Sequence, residues 1–296
     1  MIHSFFLFMK KKTLFLSGSA LFVGLVLAAK SMVFTVPVEP EFIELSKVAS
    51  NDSLTYQSGC SQFKTSDPID RNGQLNVLVW NIYKQQKDDW EAALNTLTTS
   101  SDLVLLQEAS LTPELKQFVV DKSYSAELVR AFDVFDTSAG VLTLAKASAE
   151  KVCAHTAIEP WLRLPKSALL SEYPLSNGET LIVVNIHAIN FTLGTEDYKN
   201  QIEALSTEVK SHDGPVIIAG DFNSWSEGRL TTLQQEVKPL DLKEVVFTPD
   251  DRMRFITGLP LDHIFYRGLE TKEAHSIKSN ASDHNPLQVS FTLKTQ

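Results

Sequence analysis

Short apolar runs punctuate the chain from residue 75 onward, each bounded by polar or turn residues. Residues 75–80, 103–106, 181–186, 216–219 and 261–265 are apolar with little alternation, as in strands covered on both faces. Residues 141–144 and 167–170 predict two further strands, and a last one follows Pro286. A different period marks two helices. Trp90, Leu94 and Leu97 recur at helical spacing, as do Tyr198, Ile202, Leu205 and Val209 behind Thr195 as an N-cap. Strands outnumber helices, which predicts sheets faced by a few helices.

Upstream the pattern changes twice. Residues 37–72 hold Pro37, Pro40, Gly59 and Pro68 among many Ser, Asp and Gln, without a period of 2 or 3.6. They read as a linker, leaving residues 73–296 as one domain. Residues 1–36 carry Lys10, Lys11 and Lys12, then an uncharged apolar run over residues 13–29. That length sits between a secretory leader and a membrane span. It predicts a membrane anchor or a cleaved signal, with the lysines inside and the domain outside the cytoplasm. Inner-membrane association would run through residues 13–29. The alternative is a misassigned start and a cytoplasmic protein.

Composition narrows the function more than the fold. Hydrophobic residues are 43% and charged residues 21%, ordinary values for a globular chain. The net charge is −9, and from Glu39 onward 23 basic face 36 acidic residues. A general basic clamp for nucleic acid is thereby excluded, though a local basic patch is not. Two cysteines exclude a disulfide-dense scaffold and a four-cysteine zinc site. Cys60 and Cys153 either pair outside the cytoplasm or stay free thiols.

The chemistry gathers at strand ends. Asn81 follows the first apolar run, Gln107 and Glu108 the second, and His187 the run over residues 181–186. Asp221 and Asn223 follow Gly220; Asp262 lies inside the run over residues 261–265; Asp283 and His284 precede the last strand. Apolar strands exclude such groups unless they are paired or bind metal. Acids, amides and imidazoles converging without cysteine suit a hard cation, Mg²⁺ or Mn²⁺.

Trp80-Asn81-Ile82, Leu106-Gln107-Glu108, Asn185-Ile186-His187, Gly220-Asp221-Phe222-Asn223, Leu261-Asp262-His263-Ile264-Phe265 and Ser282-Asp283-His284-Asn285-Pro286 occur in that order. Together they resemble the endonuclease/exonuclease/phosphatase superfamily, the DNase I-like fold, over residues 75–293. Residues 80–86 and 163–167 look like features of one bacterial subgroup. The resemblance implies an α/β protein built as a four-layer α/β/β/α sandwich with its site at one end of two sheets. It implies Glu108 as principal metal ligand, with Asn81 and Asp283 beside it. Asp221 and Asn223 would orient water and phosphate, Asp262 would orient His284, and His187 would contact the phosphate or leaving oxygen. Phosphodiester cleavage fits this set, because a cation and protonated imidazoles stabilise charge gathering on phosphoryl oxygens. Either Asp221 or the His284 dyad could act as base.

The expected activity is a metal-dependent, nuclease-like phosphodiester hydrolase acting on nucleic acid or a phospholipid head group, with no obligate protein partner. A phosphoesterase acting on phospholipids or inositol phosphates is the alternative, and a silent binding module is the reading from another class. Lys84, Arg163 and Lys166 are weaker candidates for phosphate binding, and Trp225 for stacking on a base or head group.

Overall fold

The computed structural model describes residues 33–45, 56–64 and 67–294. The basic and apolar segment over residues 1–32, including residues 13–29, lies outside the described residues. Strands β1 to β8 are Phe34–Thr35, Glu41–Glu44, Tyr56–Ser58, Cys60–Gln62, Gln74–Asn81, Leu103–Ser110, Ser125–Val134 and Thr137–Ala145. Strands β9 to β16 are Lys151–Ile158, Pro165–Pro174, Thr180–His187, Val216–Asp221, Lys243–Glu244, Asp262–Arg267, Leu269–Ser276 and Leu287–Leu293. Among the described residues there are four α-helices: α1 Trp90–Leu97, α2 Pro113–Asp121, α3 Glu196–Lys210 and α4 Glu227–Val237.

The strands form two sheets. One runs β15-β16-β5-β6-β8-β7-β2-β3, with β1 paired to β7; the other runs β13-β14-β12-β11-β10-β9-β4. Alternation along each strand explains the layers. Leu75, Val77 and Val79 of β5 pack with Leu181 and Val183 of β11 in the core between the sheets. Their neighbours Leu78 and Trp80 point the other way, onto Trp90, Leu94, Leu115 and Phe118 of α1 and α2. On the second sheet Ile182, Val184 and Ile218 meet Tyr198, Ile202, Leu205 and Leu233 of α3 and α4. Strands buried on both faces have no polar face, hence the unbroken apolar runs. The result is the four-layer α/β/β/α sandwich.

Each sheet holds one parallel pair, β5 with β6 and β11 with β12. Parallel neighbours need a crossover, supplied by α1 and α3 respectively. Their carboxyl ends are where the candidate residues lie, which is where sheets of this kind place ligands.

The expected linker over residues 37–72 is partly built into the sheets. Phe42 and Ile43 of β2 pair with Val129 and Leu128 and are fully buried. β4 is an edge strand opposite β9, and there Cys60 and Cys153 are direct cross-strand partners joined by a disulfide. Strands of three or four residues are too short to show a period, so prolines and glycines dominate what the sequence displays. Among the described residues no helix is long and apolar enough to cross a membrane.

Candidate active site

Two paired strand ends fix the floor of the site. His187 is the register partner of Asp221 on β12, and Asp221 is that of Asp262 on β14. In the other sheet Asn81 pairs with Gln107. The sheets are joined directly beneath: Gln107 Nε2 donates to Asn185 Oδ1 at 2.7 Å, and Asn185 Nδ2 donates to the Leu106 and Leu142 carbonyls at 3.2 and 3.1 Å. Both amides are fully buried. These bonds tie the two sheets together at this end, while the Gln107 side-chain oxygen stays without a hydrogen-bond partner among the described residues.

Backbone irregularities aim the side chains. Between Leu106↔Leu142 and Ala109↔Gly140 the register shifts, so Gln107 and Glu108 share one partner position. Glu108 takes a positive φ of 52° in this bulge, and Asn223 one of 48° after β12. Bulges and left-handed non-glycine residues recur where a fold re-aims a functional group. Gly220 has a φ of 144°, and a Cβ there would lie 2.0 Å from the Ile186 carbonyl oxygen. Glycine is the residue that lets β11 and β12 approach so closely.

The side chains converge. Asn81 Nδ2 donates to Asp221 Oδ2 at 3.0 Å, and the Asn223 amide N–H donates to Asp221 Oδ1 at 2.9 Å. His284 Nδ1 lies 2.8 Å from Asp262 Oδ2, and its Nε2 lies 3.8 Å from Asp221 Oδ2. His187 Nε2 is 3.5 Å from Asp221 Oδ2, 3.8 Å from Glu108 Oε1 and 2.8 Å from Lys166 Nζ. Lys84 Nζ forms an ion pair with Glu108. Ser282 ties the last loop to the site: its hydroxyl donates to the Asn81 carbonyl at 2.6 Å and accepts from the His284 amide at 3.2 Å. Asp283 is exposed beside them.

Burial and these neighbours set the charges. Burial raises the Asp221 pKa to about 6, against the pull of His284. Burial opposes charge on His284 too, but Asp262 and Asp221 together outweigh it and raise its pKa to about 10. His187 goes the other way: burial, then the nearby Lys166 and Lys84 cations, hold it well below the ordinary imidazole value. Both causes favour its neutral form. Lys166 is itself pushed down by burial, with Glu108 and Asp221 opposing.

A cavity of about 470 Å³ opens above these groups, lined by Asn81, Glu108, Lys166, His187, Asp221, Asn223, Trp225, Asp283 and His284 among others. Of the weaker candidates, Arg163 is exposed on the β9–β10 loop and does not line it. Trp225 does, with its Nε1 donating to Asn190 Oδ1 at 2.8 Å. The walls include residues the sequence reading missed. Trp161 and Phe191 line the mouth. Glu159, nearly fully buried, accepts from the amides of Asn190 and Phe191 at 2.7 Å each, and buried Arg229 donates to the Asn223 carbonyl at 2.6 Å. Under Asp262, His263 lies 2.8 Å from Ser224 Oγ and 2.7 Å from Glu244 Oε1. A buried acid or cation paired to loop backbone carries no sequence signature of its own, and isolated aromatic residues in loops are equally silent.

Ligand atoms of Asp221, Asp262 and His284 also lie within 4.8 Å of one another. His284 is hydrogen-bonded to Asp262 at 2.8 Å and stands 3.8 Å from Asp221, so these groups already serve one another as a relay. Glu108 is different: its carboxylate already holds the Lys84 ammonium, and it lines the cavity together with the oxygen-bearing side chains of Asn81 and Asp283. Such a donor set fits a hard divalent cation.

Comparisons with known proteins bear on the family and the fold. A 52% identical relative from Vibrio campbellii, called UPF0294 protein, aligns over 265 residues, 90% of this chain and 93% of its own length. Among solved structures, ANGEL2, described as a 2',3'-cyclic phosphatase, is similar with a TM-score of 0.60 and 15% identity, over 75% of this chain and 96% of that one. D. rerio TDP2, solved with a single-strand DNA product, gives a TM-score of 0.53 and 18% identity, over 74% of this chain and 99% of that one. At such identities the structures speak for the fold alone. The model of the endonuclease/exonuclease/phosphatase family matches residues 78–284, and the chain belongs to that family.

Proposed function

We propose that this protein hydrolyses phosphodiesters with the help of a divalent cation, Mg²⁺ or Mn²⁺. The observation that carries the reading is the placement of the buried Asp221 carboxylate between two imidazoles, His187 at 3.5 Å and His284 at 3.8 Å.

The proton inventory assigns roles. His284 already holds its proton at neutral pH, so it is the donor. Its Nε2 proton serves a phosphoryl oxygen or the departing oxygen, while Nδ1 is fixed by Asp262. Asp221, with a pKa of about 6, is ionised at neutral pH yet basic enough to take a proton from attacking water. Water attacks phosphorus, its proton passes to Asp221, the phosphorus–oxygen bond to the alcohol breaks, and His284 protonates that oxygen. Lys166 presents its ammonium to the phosphate. Glu108 would hold the cation with Asn81 and Asp283, and the cation would neutralise phosphoryl charge. Nucleic acid and phospholipid head groups both present the required bond.

Location outside the cytoplasm is part of the proposal. The lysines that precede the apolar run support it, and the Cys60–Cys153 disulfide suits an oxidising compartment. Alkaline phosphatase fused after Gln296 should be active and a cytoplasmic reporter silent; the reverse result would place the domain inside.

The central test uses the purified full chain and bis(p-nitrophenyl) phosphate. Hydrolysis should require Mg²⁺ or Mn²⁺ and stop in EDTA. Full activity after exhaustive chelation would overturn the metal requirement.

A further inference from the structure

Thirteen large hydrophobic side chains are exposed among the described residues, and they are not scattered. Eight lie on four loops at the end of the sandwich that carries the site: the β7–β8 turn, the β9–β10 loop, the β11–α3 loop and the segment just before β14. The most prominent is Ile256, 95% exposed, followed by Leu193 at 78%, Phe135 at 68% and Trp161 at 60%. Single exposed apolar residues are ordinary, but a concentration around one cavity mouth marks an interaction surface.

The charge at this end selects the partner. Arg252 is paired to Glu244 and Asp250, Arg254 to Asp250, and Lys84 to Glu108. A nucleic-acid strand needs an excess of cations along its path. Here the rim cations are largely matched by acids, and the chain from Glu39 onward is strongly acidic. The cavity floor keeps Lys166, enough for one phosphate rather than a track of them. A bilayer with zwitterionic head groups asks for the converse, apolar and aromatic side chains that enter the head-group region.

The course of the chain points the same way. β1 pairs with the end of β7, Phe34 opposite Val134, and the Phe34 and Phe132 rings pack with centroids 5.9 Å apart. Phe132 lines a second cavity, of about 140 Å³, whose other walls include Glu108, Lys166 and His187. The chain thus joins the fold at the active-site end. Residues 30–32 alone separate Val33 from the apolar run over residues 13–29, and three residues span at most about 11 Å.

We infer that this end of the protein docks on a lipid bilayer and that the substrate is a phosphodiester lipid head group met at that surface. The inference rests on the hydrolase reading above and names its substrate class. Docking lets Ile256, Leu193, Phe135 and Trp161 enter the interface, while a head group of the outer leaflet reaches Lys166 and His284 in the cavity between them.

The experiment uses the full chain and the double variant Leu193→Ser/Ile256→Ser, two positions that line neither cavity. Substrates are mixed vesicles of the zwitterionic lipids phosphatidylethanolamine and phosphatidylcholine, single-stranded DNA, and soluble bis(p-nitrophenyl) phosphate. The variant should hydrolyse vesicle lipid at least about tenfold more slowly, given the apolar area removed, and the soluble diester at an unchanged rate. In vesicles with brominated acyl chains, tryptophan emission should be quenched, and Trp161→Phe should lose most of that quenching. Three results would overturn docking: equal vesicle rates for variant and parent, no quenching, or faster turnover of DNA than of vesicles. In each of these the soluble diester is still cleaved, so the hydrolase reading stands. Loss of soluble-diester cleavage by the parent chain is the separate outcome that removes that reading.

Discussion

His284 and Asp262 are joined by a 2.8 Å contact between Nδ1 and Oδ2, although 22 residues separate them in the chain. The contact exists because Asp262 opens β14, the antiparallel partner of β12, while Trp80 Nε1 holds the His284 carbonyl at 2.9 Å from the other sheet. An imidazole held this way presents one fixed nitrogen to the cavity.

If the two act as one unit, their losses will not add. Asp262→Asn should lower kcat/KM by on the order of 10²-fold or more, and His284→Ala further. The double variant should be little worse than His284→Ala, because nothing is left for the acid to orient. Folded single variants whose free-energy losses sum would show that Asp262 acts independently of His284.

The same pair makes stability depend on alkaline pH. The folded pKa of His284, about 10, exceeds its ordinary value of 6.5. A raised folded pKa stabilises the fold fully below the unfolded pKa, and the contribution disappears as pH rises through the folded one. The stability difference between the parent and His284→Asn should therefore be largest near pH 6 and shrink toward pH 10. Denaturant melts of both proteins across that range measure it, and a difference constant with pH would rule out the charged pair.

The long apolar strands and both helices with clean periods were legible in the sequence, because burial on two faces leaves no polar interruption until the strand ends. Thr195 does precede α3 as its N-cap residue, although its side chain makes no capping hydrogen bond. Strands β7, β9 and β15 escaped notice because polar residues are mixed into them, as in Leu-Glu-Thr-Lys-Glu-Ala-His-Ser of β15. The polar strand-end residues were visible because such groups are out of place in an apolar run. Their partners were not. Ser282, Glu159 and Arg229 bond to backbone brought close by the fold, and distance along the chain hides that. The positive φ of Glu108 is likewise a product of register between β6 and β8.

The Cys60–Cys153 bond secures an edge. β4 has only three residues paired to β9, too few to hold an edge strand firmly. The cysteines are 93 residues apart, and loop-closure entropy alone gives roughly 4–5 kcal/mol for such a loop. Cys60→Ser should lower the unfolding free energy by a large part of that amount. Reductant should reproduce the effect on the parent and have none on the variant. Equal denaturation midpoints for oxidised and reduced parent would show that the bond does not stabilise this fold.

Glu108→Gln separates the metal ligand from the relay. The substitution keeps the shape at a position whose backbone is already left-handed, so the bulge on β6 should survive. It removes the charge that now holds Lys84, lies 3.8 Å from His187 and favours the charged form of Lys166. A divalent cation would then meet two ammonium groups and only neutral oxygen at this point, and should bind far more weakly. Activity should fall by on the order of 10²-fold or more and recover in part at high Mg²⁺. Direct Mn²⁺ titration, followed by electron paramagnetic resonance, reads the binding without reference to turnover. A titration midpoint unchanged from the parent would move the cation away from Glu108, to the Asp221, Asp262 and His284 cluster, and the relay would then have to be given up as well.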